Sequence, residues 1–96
     1  MSPEAWTLPW EEAREGLLVH RDRRVVYLNP AAAELLAVDR EKVRGLPLIL
    51  ALRDHRLEAL ALKGGEAVLE VRGRVLAARA RPGLLYLLYV TEARRR

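Results

Sequence analysis

The residues able to do chemistry are few, and their spacing does not assemble them. Cysteine is absent, which excludes a disulfide framework, a thiolate metal site and a thiol nucleophile. Two histidines, His20 and His55, cannot build a metal site alone. Apart from the tyrosines, hydroxyls occur only at Ser2, Thr7 and Thr91, and no His/Asp pairing is suggested around them. Glu11-Glu12 is an acid pair, but it falls in the first turn of an expected helix, where carboxylates are stabilised without any chemical duty. Gly64-Gly65 lacks the Lys-Ser/Thr that follows the glycines of a phosphate loop. The reading is of a domain that is not an enzyme, with no catalytic residue and no metal or cofactor site.

Composition narrows the rest. With 96 residues, 51% hydrophobic and 31% charged, the chain is one globular domain without room for two cores. Seventeen Lys plus Arg against 13 Asp plus Glu give +4. The cations are scattered as Arg21, Arg23, Arg24, then Arg72, Arg74, Arg79, Arg81, then Arg94, Arg95, Arg96. That scatter is expected of a solvated surface and not of a nucleic-acid face, which would show a steep salt dependence. Gln is absent and Asn and Ser occur once each, a composition consistent with a thermophile. No apolar run reaches the roughly 18 to 20 residues of a membrane span. The amino end carries Glu4, Glu11 and Glu12 without a basic-then-apolar signal, so a cytoplasmic location is expected.

The elements that must position these residues follow from spacing. Residues 1–15 form a lead-in with a short helix starting at Pro9, after an extended Leu8, and ending at Gly16. Leu17–His20 and Val25–Leu28 read as two strands joined by the turn Arg21-Asp22-Arg23-Arg24. Asn29 is placed to cap a helix opened by Pro30, and Asp39 caps a short turn that stops at Gly45. Asp54 caps a further helix with Leu57, Leu60 and Ala61 on its apolar side, closed by Gly64-Gly65. The period then becomes two through Leu69–Arg72, Leu76–Arg81 and Leu84–Val90, with turns at Gly73 and Pro82-Gly83. The fold class is α+β, a five-stranded antiparallel sheet with short helices on one face and an amino-terminal capping helix.

These elements resemble a PAS domain. Val25-Val26-Tyr27-Leu28-Asn29-Pro30-Ala31-Ala32-Ala33-Glu34-Leu35-Leu36 looks like the family's second strand, its Asn-Pro cap and its first core helix. Val43-Arg44-Gly45-Leu46-Pro47-Leu48 is similar to the family's Gly-x-Pro segment, and Tyr89-Val90-Thr91-Glu92 stands where the family often ends in Asp, an aliphatic residue, Thr and Glu. The likeness covers about residues 16–92 and is nearest to the input domain of phosphate-regulon-type sensor histidine kinases. Tyr89 departs from the usual Asp, His20 from a frequent Asp, and Ala37 from a common Gly; the turn RDRR also lacks the usual Gly.

The resemblance implies a space between sheet and helices. The expected lining is Leu17, Val19, Leu28, Leu35, Leu36, Leu57, Leu60, Leu69, Leu76 and Leu88, all aliphatic. Such a lining suits either a filled core or a small apolar ligand, since specific pockets add a few convergent polar groups. Flavin and p-coumaroyl photoadducts need a cysteine, and His55, between Asp54 and Arg56, reads as a surface residue and not a haem ligand. The last strand is apolar on both faces, which calls for a cover or a partner. Trp6, Leu8, Trp10, Leu85, Tyr86, Leu87 and Tyr89 are the expected interface of a homodimer. Val90, Thr91 and Glu92 are the expected signal exit, with 93–96 beginning a connector to an output domain such as a histidine kinase. The alternative is a structural dimerisation module with a filled core and no ligand.

Overall fold

The computed structural model describes residues 8–90. The elements run α1 (Leu8–Glu11), β1 (Gly16–Arg21), β2 (Arg24–Leu28), α2 (Pro30–Leu36), α3 (Arg40–Val43), α4 (Leu48–Leu52), α5 (His55–Lys63), β3 (Gly65–Val71), β4 (Arg74–Arg81) and β5 (Leu84–Tyr89). All strand pairs are antiparallel, in the order β2-β1-β5-β4-β3. The two hairpins meet at β1 and β5, so α2 to α5 form a crossover over one face of a single sheet.

Burial follows from the alternation. Leu18, Leu76, Ala78, Ala80, Leu85 and Leu87 point at the helices and pack with Leu36, Leu52 and Leu57. Pairing between β1 and β2 skips Val26, so Val25 and Leu28 both turn inward while Tyr27 turns out with Val19. One extra residue in a strand reverses the side-chain parity beyond it, which is what this bulge achieves.

The helix ends follow the caps. Asp39 accepts from Glu41 N, and Asp54 accepts from Arg56 N and Leu57 N, which satisfies amide donors that the first turn leaves free. α4 was not expected from the spacing; it runs five residues and stops where Arg53 takes a left-handed φ of 52°. α1 begins at Leu8, one residue before Pro9, and ends at Glu11 instead of running to Gly16. Beyond it the chain makes one further turn, Ala13 N to Trp10 O, and the carbonyls of Trp10 and Glu15 both accept from the Asn29 side chain.

Gly16 is therefore not a helix stop. A Cβ there would meet Ala32 Cα at 2.9 Å, so this glycine lets β1 approach the start of α2. Gly16→Ala is expected to cost about 1–3 kcal/mol by overpacking, read as a lower urea midpoint at unchanged slope. Ala37 presents the opposite case. It ends α2 with φ 58°, a conformation that glycine adopts at no steric cost. Ala37→Gly is expected to raise stability by up to about 1 kcal/mol, and a loss of stability would contradict the assigned cap.

The β3–β4 hairpin is held to the helical layer by arginines. Arg72 donates to Leu36 O at 2.8 Å and Leu52 O at 3.1 Å, and Arg74 donates to Glu34 O at 2.5 Å. Leu36 O and Leu52 O are the last carbonyls of α2 and α4, which the helices leave free, while Glu34 O also accepts from Ala37 N. Arg72 remains exposed and Arg74 half-buried, so these bonds give anchors to the solvated surface expected there.

Candidate interaction face

The sheet face away from the helices carries Leu17, Val19, Tyr27, Ala77, Arg79, Leu84, Tyr86 and Leu88 by register. The amino-terminal segment is fixed across part of it by three connections. Trp10 stacks on Tyr86 with ring centroids 5.9 Å apart and planes tilted by 45°. Arg79 lies over the same ring, 4.9 Å from its centroid, and reaches Glu15 at 3.5 Å. Glu11 accepts from the Tyr27 hydroxyl at 2.5 Å and from Arg40 at 2.8 and 3.1 Å, while Arg40 Nε also donates to Leu28 O.

Asn29 anchors this arrangement from within. Its side chain is fully buried and makes four bonds: Oδ1 accepts from Leu17 N and Ala32 N, and Nδ2 donates to Trp10 O and Glu15 O. One amide thus caps α2, fixes β1 and holds the lead-in that carries Trp10. The sequence identifies Asn29 as a cap, but its hold on residues 10 and 15 is a tertiary contact without a local signal.

The electrostatics of Glu11 give a pH dependence with a definite sign. The Tyr27 hydroxyl is the main influence holding its carboxyl below the ordinary 4.5, with Arg40 assisting and burial opposing. A depressed folded-state pKa stabilises the protein above the unfolded value and loses that stabilisation as pH falls through the folded one. Stability is therefore expected to fall as pH drops below about 4.5, and Glu11→Gln flattens that fall. Burial first, and Glu11 second, push Tyr27 up to about 12. A raised pKa stabilises below the unfolded value and is lost on rising through the folded one, so Tyr27→Phe removes a loss between about pH 10 and 12. Urea titrations across both limbs check this pair, and an unchanged profile in both variants would refute the clamp.

Beyond the clamp, the outer face opens into a groove of about 470 Å³ lined by Glu15, Glu66, Ala67, Val68, Ala77, Arg79 and Leu88. Val68, Ala77 and Leu88 form one cross-strand row. Val68 is 64% exposed and Leu88 49%, so the row is not covered by the described residues.

No protein-family profile matches the chain, and no curated protein does. Solved structures do. A domain of an HTR-like protein from Haloarcula marismortui superposes with a TM-score of 0.56 at 14% identity, over 81% of this chain and 99% of that one. The PAS domain of nitrogen regulation protein NR(II) from Vibrio parahaemolyticus gives 0.54 at 18% identity, over 93% and 99%. The PAS domain of a LuxR-family transcriptional regulator from Burkholderia thailandensis, determined in complex with ethanol, gives 0.54 at 14% identity, over 90% and 97%. The chain has the PAS fold.

On this PAS fold the expected lining residues divide between the two faces. Leu28, Leu36, Leu57 and Leu76 lie in the core, with Leu35, Leu60 and Leu69 packed against it. Leu17, Val19 and Leu88 stand on the outer face instead, because each is odd in register to the inward Leu18 and Leu87. Leu17 is nevertheless only 2% exposed, beside Tyr86.

The expected interface residues also divide between the two faces. Leu85 and Leu87 are fully buried against the helices, and only Tyr86 of that run lies outward, while Tyr89 is exposed near the end of β5. Trp10 lies on the outer face, and Leu8 opens α1. Trp6, Thr91 and Glu92 lie outside the described residues. Val90 is within them, and its N–H donates to Val75 O.

The histidines are apart. The His55 side chain is 92% exposed, 3.9 Å from Glu58. His20 sits on β1 with burial holding its pKa down and an Ala61 backbone hydrogen bond acting the other way. Among the described residues no group of three or more His, Asp or Glu is placed to hold a metal ion, and no helix is long and apolar enough to cross a membrane.

Proposed function

We propose that this PAS fold is a non-catalytic sensory and interaction module of a signal-transduction protein, the input domain of a sensor histidine kinase of the phosphate-regulon type. It works through a homodimer built beside the amino-terminal segment. The observation carrying this reading is the outer face itself, where Trp10 and Tyr86 lie next to exposed apolar residues on an otherwise charged chain. Aromatic residues at the edge of an uncovered apolar surface are the usual anchors of protein contacts. The signal passes as a change of sheet packing through Val90 into Thr91 and Glu92 and on to the output domain. Such coupling needs two states that differ in their contacts.

Sedimentation of the whole chain and of Trp10→Ser/Tyr86→Ser tests the interface. Dimers in the parent and monomers in the variant are expected. A variant that remains dimeric places the contact elsewhere. A second reading, a structural dimerisation module without ligand, is favoured by the aliphatic core, in which Leu36, Leu52, Leu57 and Leu76 are fully buried. A small apolar molecule retained on purification would decide for sensing.

A further inference from the structure

One end of the sheet gathers positive charge around a recess. His20 N donates to Gly83 O at 2.9 Å, which sets the end of β1 against the β4–β5 turn, and the last turn of α5 forms a further wall. The recess between them has a volume of about 160 Å³. Its ionisable lining is His20, Lys63 and Arg81, and no carboxylate borders it.

His20 is the unusual member. Its Nε2 is, among the described residues, the one buried side-chain polar atom without a hydrogen-bond partner. The ring's hydrogen bond with the Ala61 backbone leaves this nitrogen free. Native structures rarely leave such an atom unpaired, and an ion or a functional role is the usual reason.

The two cations are free as well. Lys63 and Arg81 are exposed and form no salt bridge among the described residues. Arg81 Nη1 donates to Ala80 O at 3.1 Å, which leaves most of the guanidinium N–H groups available. Lys63 offsets the partial negative charge at the carboxyl end of α5, so Arg81 and the imidazole act on an anion unopposed. Arg21, Arg23 and Arg24 on the adjoining β1–β2 turn are also outside any salt bridge among the described residues. Asp22 is the one acid of that turn, so the field over this end of the sheet is positive.

We infer that this recess binds a small, doubly charged oxyanion of the sulfate or phosphate class. Its oxygens accept from Arg81 and Lys63, and from His20 Nε2 when the ring is protonated. The imidazole thereby couples occupancy to pH. This adds a ligand site to the domain and requires neither the dimer nor the apolar row on the outer face.

NMR titration of the whole chain with sodium sulfate, at constant ionic strength, tests it. Sulfate keeps its double charge near neutrality, so a pH dependence of its binding belongs to the protein. The His20 ring signals are expected to move saturably, with binding about tenfold tighter at pH 6 than at pH 8. The His55 signals, from a 92% exposed side chain at the opposite end of α5, are expected to stay still. Arg81→Gln and Lys63→Gln are each expected to weaken binding about tenfold. Both positions are exposed, so the fold is retained. His20→Gln is expected to remove the pH dependence. His20 signals that ignore sulfate, or an affinity indifferent to Arg81→Gln, overturn the inference. So does attachment to phosphatidic acid vesicles without any response to sulfate, which would make a lipid headgroup the occupant. Failure here leaves the reading of the outer face intact, since Trp10 and Tyr86 take no part in the recess.

Discussion

Asn29→Ala is expected to lower the stability of the domain by about 3–5 kcal/mol. Losing an N-cap costs about 1 kcal/mol, and each buried partner left without a bond adds about 1–3. Besides the cap, Leu17 N and Glu15 O lose theirs, and Trp10 O keeps only its bond from Ala13 N. The two carbonyls regain water by loosening the lead-in, which keeps the total below a full sum. Asn29→Asp separates the halves of this amide. It keeps an acceptor for Leu17 N and Ala32 N but sets a carboxylate against the carbonyls of Trp10 and Glu15. A loss of similar size is expected at neutral pH, relieved on acidification as the acid becomes a donor. Urea unfolding followed by tryptophan fluorescence reads stability and the release of Trp10 together. A loss under about 1 kcal/mol in Asn29→Ala would show that the side chain does not hold the lead-in.

The second large effect separates two adjacent leucines. Leu87 is fully buried between the sheet and the helices, and Leu88 is 49% exposed on the other face. Leu87→Ala is expected to cost about 3–4 kcal/mol, the sum of lost transfer energy and a residual cavity. Leu88→Ala is expected to cost less than about 1 kcal/mol in the folded monomer, because most of its surface remains in water. Equal losses at both positions would overturn the β5 register. A large loss at Leu88 that vanishes on dilution would instead report burial in a dimer.

That pair also shows where sequence reasoning stops. Leu84-Leu85-Tyr86-Leu87-Leu88-Tyr89 is apolar at every position, so alternation identifies two faces without saying which is inside. The pairing Leu85↔Ala80 and Leu87↔Ala78 decides it, and that is a long-range fact. Strands with a polar alternate are readable: Arg79 and Arg81 mark the outer side of β4 from composition alone. Caps are readable for the same local reason, as Asn29, Asp39 and Asp54 each sit within three residues of the amides they satisfy.

What escaped were features whose cause lies across the molecule. The bulge at Val26 exists because β2 must turn both Val25 and Leu28 inward, and nothing in Val-Val-Tyr-Leu announces an extra residue. Gly16 looks like a helix stop until Ala32 is seen 2.9 Å from its missing Cβ. Arg72 is exposed as a solvated charge would be, but that α2 and α4 deliver their last carbonyls to it has no local signal. The groove escaped too, because Glu15 and Glu66 are 51 residues apart and meet only over Arg79.

The central claim is that the outer sheet face, beside the segment carrying Trp10, joins two copies of the chain. A native mass spectrum of the freshly purified protein, taken over a micromolar dilution series, tests it most directly. The account predicts a dimer that dissociates on dilution, with any retained small molecule visible as added mass on each subunit. A monomer at every concentration would contradict it.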